Sequence, residues 1–97
     1  MSLLVDFSIF PMDKGESVSG YVSKAVKIIQ QSGLSYKLGP MGTTIEGEWE
    51  SVMAVVKACF DEITKDSHRV YFALKADYRR GSFGRLESKV RSVETKL

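Results

Sequence analysis

Ninety-seven residues provide for one domain and one core, since independent domains run from about 50 to 200 residues. With 43% hydrophobic and 27% charged residues, the chain has neither the apolar poverty nor the charge excess of a disordered segment. A net charge of +2 is too small to argue for a nucleic-acid or membrane-surface partner. Its distribution is uneven: residues 78–97 carry six basic and two acidic side chains, residues 1–77 eight basic and ten acidic.

In chain order, Leu3 to Phe10 alternates, with Val5, Phe7 and Ile9 on one side and Leu4, Asp6, Ser8 and Phe10 on the other, the period-two signature of a strand. Pro11 is expected to end it. Asp13 and Gly15 mark a loop, and the serines of Ser17-Val18-Ser19 suit the N-cap of a helix because a hydroxyl can accept from its free amides. That helix carries an apolar stripe of Val18, Tyr21, Val22, Ala25, Val26, Ile28 and Ile29, spaced for one face. Gly33 supplies a left-handed end.

Leu34, Tyr36 and Leu38 alternate with Ser35 and Lys37 in a second strand. Gly39-Pro40-Met41-Gly42 turns the chain into a third, Thr43 to Glu48, so the pair reads as a hairpin. From Trp49 to about Asp66, Val52, Val55, Val56, Cys59, Phe60 and Ile63 form the apolar face of a second helix. Arg69 to Asp77 is a fourth strand, with Val70, Phe72, Leu74 and Ala76 opposite Tyr71, Ala73 and Lys75. Phe83, Leu86, Val90, Val93 and Leu97 recur at three and four in a last helix opening near Gly84, and so narrow a seam must pack on something.

The order β-α-β-β-α-β plus one helix predicts an α+β, ferredoxin-like sandwich: a four-stranded antiparallel sheet with both main helices on one face, a single domain over residues 1–97. The other face, with Leu4, Asp6, Ser8, Phe10, Tyr71, Ala73 and Lys75, is then open to a second subunit or to the last helix folding back. The N-terminus shows no basic segment leading into an apolar run, and no stretch approaches about 20 apolar residues, so the chain reads as cytoplasmic, with no membrane partner.

No catalytic constellation emerges. His68 is the one histidine; among polar residues it reads as a solvated turn residue before a general base. Cys59, the one cysteine, forms no intrachain disulfide and no metal spacing, and its place on the apolar stripe makes it a core residue. Arg79 and Arg80 could clamp an anion, or form surface ion pairs. Gly42-Thr43-Thr44-Ile45-Glu46-Gly47-Glu48 groups two hydroxyls and a carboxylate after a sharp turn. There the hydroxyls could bond a heteroaromatic ring, Glu46 could offset a cationic one, and Tyr36 or Trp49 could stack on it. The plainer reading is that threonines suit strands and that Glu46 pairs with Lys37.

The runs FSIFP (Phe7 to Pro11), SVSGYV (Ser17 to Val22), SGLSYKLGPMGTTIEGE (Ser32 to Glu48), DYRRG (Asp77 to Gly81) and KVRSVETKL (Lys89 to Leu97) together resemble the thiamine-binding-protein family of small ferredoxin-like domains. That resemblance implies non-enzymatic binding of thiamine or its hydroxymethylpyrimidine portion, for sequestration or delivery, by a homo-oligomer built as a dimer of dimers. No cofactor, metal or nucleic acid is implied. Carried over by motif, the ligand-binding residues are Ser17 and Ser19 at the first helix and Met41, Thr43, Thr44 and Glu46 in the hairpin. Tyr78 departs from the family pattern, which has an acidic or small polar residue before the arginine pair, and weighs against an anion site there. The alternatives are a regulatory or structural oligomer binding another metabolite, and a small ferredoxin-like enzyme acting on an aromatic substrate.

Overall fold

The computed structural model describes residues 2–97. Seven elements follow in the order β1 (Ser2–Pro11), α1 (Ser19–Gln31), β2 (Ser35–Leu38), β3 (Thr43–Gly47), α2 (Trp49–Ile63), β4 (Val70–Arg79) and α3 (Arg85–Glu94). The sheet is antiparallel, in the order β2-β3-β1-β4, the ferredoxin-like arrangement that the pattern of elements predicts.

Strand register matches the expected faces. Val5 pairs with Ala76, Phe7 with Leu74 and Ile9 with Phe72, while Asp6 pairs with Lys75 and Phe10 with Tyr71. The inner face meets α1 and α2, and Val5, Phe7, Ile9, Ile29, Ile45, Val52, Cys59 and Ile63 form the buried core. Phe72 and Leu74 nevertheless stay largely exposed. They lie on the edge strand, and the helices centre on β1 and β3; Phe72 keeps an edge-on contact with Phe60, with ring centroids 5.8 Å apart.

Local chemistry explains the ends of the elements. Gly33, at φ 80°, follows the C-cap of α1, where the Ser32 amide donates to the carbonyls of Ile28 and Ile29, so a residue free to go left-handed closes the helix. The serines expected to cap its start do not: Val18 is the N-cap and no side chain bonds there, and Ser17 and Ser19 both face solvent. Pro11 stays within β1, paired with Val70, and β4 runs two residues beyond Asp77 to pair Arg79 with Ser2.

The last helix folds back over one end of the outer face, against β1, β2 and β3. Its buried anchor is Arg85 in the first turn, and Lys89, one turn on, pairs with Asp77. Val90, Val93 and Leu97 remain exposed, so the apolar seam has no partner within the described chain.

Candidate functional site

β1 and β3 differ in length, and this difference makes a cavity. β1 is paired with β4 along its whole length but with β3 only from Leu3 to Phe7. Beyond Phe7 the edge of β1 is open, and a cavity of about 450 Å³ lies beside Ser8, Ile9 and Phe10. This volume falls within the roughly 300–1,000 Å³ of small-molecule sites. The apolar stripe of α1 (Val18, Val22, Val26) forms one wall, the turn from Gly39 to Gly42 another, and Phe10 and Tyr71 an aromatic rim, their centroids 5.6 Å apart.

The glycine turn is shaped by close approach. The Gly39 amide donates to the Gly42 carbonyl at 2.8 Å. A Cβ on Gly42 would stand 3.1 Å from Asp6 Oδ1 and 3.1 Å from the Phe7 carbonyl oxygen, closer than packed atoms normally allow. Glycine lets the turn lie against β1 and keeps the mouth of the cavity open.

Among the described residues, no carboxylate, amine, guanidinium, imidazole or thiol lines this cavity. Its polar side chains are the hydroxyls of Ser8, Thr43 and Tyr71. Thr43 is 4% exposed, yet its hydroxyl takes part in no side-chain hydrogen bond among the described residues. Among the described residues, no side-chain oxygen or nitrogen sealed from solvent is left without a partner, so that hydroxyl reaches open space, and the cavity is the space that Thr43 lines. The free edge of β1 adds backbone groups, because alternate amides and carbonyls of an unpaired strand edge point outward in its plane.

The six residues suggested by the family motif separate accordingly. Met41 and Thr43 line the cavity, Met41 at its mouth with 91% of its surface exposed. Ser17 and Ser19 are exposed and flank Val18, which does line it. Thr44 is on the outer face, level with Asp6 and Lys37. Glu46 lies apart: it is buried, its Oε2 accepting from Ser2 Oγ at 2.6 Å and from the Arg85 amide at 3.0 Å. The carboxylate expected to face a cationic ring is thus the N-terminal cap of α3. Lys37 pairs across from Thr44 and stands 4.0 Å from Glu87, so the expected Lys37–Glu46 pair does not form. Tyr36 packs on the core and Trp49 is exposed; Phe7, Phe10 and Tyr71 are the aromatics among the residues lining the cavity. The alternation of β1 and β4 puts Phe10 and Tyr71 side by side, but only the truncated hairpin reveals that they border a void.

Electrostatics follow these partners. Burial pushes the Glu46 carboxyl up, but bonds from Ser2 and from the Arg85 and Leu86 amides, with the Arg85 charge, outweigh it and hold it below the usual range. Arg85, 4% exposed, donates to the carbonyls of Ser2 at 2.8 Å and Asp77 at 2.6 Å. Burial raises the Cys59 thiol to about 11; it is a core group, with Sγ 3.5 Å from the Ala25 carbonyl oxygen. His68 Nδ1 is 2.7 Å from Asp13 Oδ2, and the Ser67 hydroxyl donates to the other Asp13 oxygen. This serine, histidine and aspartate tie a loop to the start of β4; the serine bonds the carboxylate, not the imidazole, so they are not a nucleophile with its base. No helix among the described residues is long and apolar enough to cross a membrane.

Known proteins share both sequence and fold. A UPF0045 protein of Mycobacterium bovis is 38% identical over 98 residues, covering all of this chain and 96% of that protein. The Bacillus subtilis UPF0045 protein YqgV is 36% identical, covering 97% of this chain and 96% of its own. A Methanocaldococcus jannaschii crystal structure superposes with a TM-score of 0.89 at 30% identity, covering 96% of each chain. A Thermotoga maritima structure, of a protein assigned provisionally to thiamine biosynthesis or salvage, superposes at 0.84 with 27% identity, covering 96% of this chain and 99% of that one. With residues 5–94 matching the model of the thiamine-binding protein family, the chain belongs to that family.

Proposed function

We propose that the protein binds the hydroxymethylpyrimidine portion of thiamine, free or within thiamine, without turning it over, and that it sequesters or delivers this ligand as a homo-oligomer. The observation that carries the reading is Thr43: a residue almost fully buried, whose hydroxyl has no partner among the described residues and opens onto an apolar cavity. A hydroxyl that opens onto such a cavity is available to a ligand that donates or accepts a hydrogen bond. An aminopyrimidine does both along one edge, and the open edge of β1 at Ser8–Phe10 offers complementary backbone groups. Phe10 and Tyr71 supply faces for its ring.

Charge favours the pyrimidine half inside. With no anionic side chain lining the cavity, a cationic thiazolium would lose its hydration without compensation there. It belongs at the mouth, where the Asp6 carboxylate stands against Gly42. The wall's hydroxyls, of Ser8, Thr43 and Tyr71, have no carboxylate, imidazole, amine or thiol among the described lining residues to activate them, which fits binding without chemistry. The exposed Val90, Val93 and Leu97 on α3 and Phe72 and Leu74 on β4 support assembly, since a small domain gains stability by covering such patches.

The test is a thermal-shift titration with hydroxymethylpyrimidine, thiamine and thiamine diphosphate on the wild type and Thr43→Val. A ligand of the native state must raise the midpoint. The expected result is a saturable rise with the pyrimidine and with thiamine, needing at least about tenfold more ligand in the variant. No rise with any of the three overturns the ligand assignment, and a rise indifferent to Thr43→Val overturns the site.

A further inference from the structure

A second cavity, of about 800 Å³, lies between the end of β4, the loop at residues 80–84 and the side of α3. Its chemistry is opposite to that of the first. Its charged lining residues are Asp77, Arg79, Arg85 and Lys89, three cations against one carboxylate. Asp77 is already committed: its Oδ2 is 3.1 Å from Arg85 Nη1 and also holds Lys89 Nζ. These contacts fix two cations in place along the wall, and burial of Arg85 makes one of them rigid. Arg79 has no ion pair or hydrogen bond from its side chain among the described residues, so its guanidinium is free to take an anion.

Hydroxyls complete the set. Ser82, Ser88 and Ser92 line the same cavity, and none of the three hydroxyls has a partner within the described chain. Ser88 and Ser92, one turn apart, share a face of α3. Tyr78 does not obstruct the cavity: it lines the wall together with the exposed Phe83. A guanidinium, an ammonium and several hydroxyls around an open volume match the acceptor-rich surface of a phosphate group, and the aromatic wall accommodates an apolar body attached to it.

We infer that this cleft is a binding site for a small phosphate-bearing metabolite, distinct from the apolar cavity and independent of what that cavity holds. The basic surplus of residues 78–97 is thereby concentrated where a ligand can use it. Arg79 and the hydroxyls of α3 contact the phosphoryl oxygens, while Arg85 and Lys89, pinned by Asp77, set the local positive potential.

Inorganic pyrophosphate, which has no pyrimidine, is the probe, titrated calorimetrically at low salt into the wild type, Arg79→Gln, Ser88→Ala and Arg80→Gln. Arg80 is not on the cavity wall and serves as the control for diffuse attraction. The expected result is saturable binding, weakened at least about tenfold by Arg79→Gln and measurably by Ser88→Ala, and little changed by Arg80→Gln. The melting temperature without ligand should be the same in all four proteins. The inference is overturned by an absence of saturable binding up to about 10 mM, by equal losses in the Arg79 and Arg80 variants, or by no loss in Arg79→Gln. A pyrimidine titration that still succeeds in Arg79→Gln separates this outcome from the fate of the apolar cavity.

Discussion

Glu46 Oε2 accepts the backbone amide of Arg85 at 3.0 Å across 39 residues of chain. A side chain on β3 thereby starts α3, whose own N-cap, Gly84, provides no capping group. The same Glu46 oxygen takes the Ser2 hydroxyl, and Arg85 returns to Ser2 and Asp77, so the first strand, third strand, fourth strand and last helix meet in one buried polar knot. Such a network holds only when every member is satisfied.

Glu46→Ala is therefore expected to cost about 3 kcal/mol of unfolding free energy, because the Arg85 amide and the Ser2 hydroxyl lose their buried acceptor and the Arg85 guanidinium is left with the half-exposed Asp77 as counter-charge. Glu46→Gln should cost about half that, keeping the shape but not the charge. Urea unfolding gives the values. The pyrimidine affinity of the folded variants should stay at the wild-type level, since Glu46 does not reach the cavity; a fall in affinity at constant stability would return Glu46 to the ligand.

Gly42→Ala should disturb both stability and binding. Its Cβ would press on the Phe7 carbonyl oxygen at 3.1 Å, a backbone atom held in the sheet, so the turn must shift. The expected cost is about 1–3 kcal/mol, with weaker ligand binding; an unchanged melting temperature would show that the hairpin moves freely.

Asp13 makes a prediction about pH. The Ser67 hydroxyl and the His68 amide bond its carboxylate and, with a lesser contribution from the charge of His68, lower its pKa from 3.8 to about 2 against the opposing effect of burial. A carboxyl depressed on folding stabilises the native state above its unfolded value and loses that contribution as pH falls through the folded value. Wild type should accordingly melt higher than Asp13→Asn near neutral pH, and the gap should close between about pH 3.8 and pH 2. Melting curves across that range decide it; a gap independent of pH would assign the effect to shape instead of charge.

Cys59 should be inert in the native protein. Its thiol, raised to about 11 by burial, is almost wholly protonated at pH 7 to 8. Ellman's reagent should react with it at the rate of unfolding, and a fast native reaction would mean that α2 opens locally.

The elements were legible because local chemistry and periodicity agree. Val5, Phe7 and Ile9 alternate, the α1 stripe repeats at three and four, and Gly33 takes the left-handed conformation at the end of its helix, so strands, helices and the inner face follow from residue types alone. The hairpin motif that carries the family resemblance also put forward Thr43 and Met41, which line the cavity. What a period cannot specify is which element lies over a face or where a strand loses its neighbour. Alternation puts Glu46 on the outer face, but that α3 returns to cover it depends on Arg85, Ser2 and Asp77 meeting across long stretches of chain. Phe72 and Leu74 read as core and are exposed because the strand order leaves β4 at the edge. The cavity is likewise tertiary: Phe10 and Tyr71 become its rim because β3 pairs with β1 only as far as Phe7 while β4 follows β1 to Pro11. Sequence by itself determined the faces and the turns, which are local properties; the structure decided the neighbours, which depend on contacts between residues far apart in the chain.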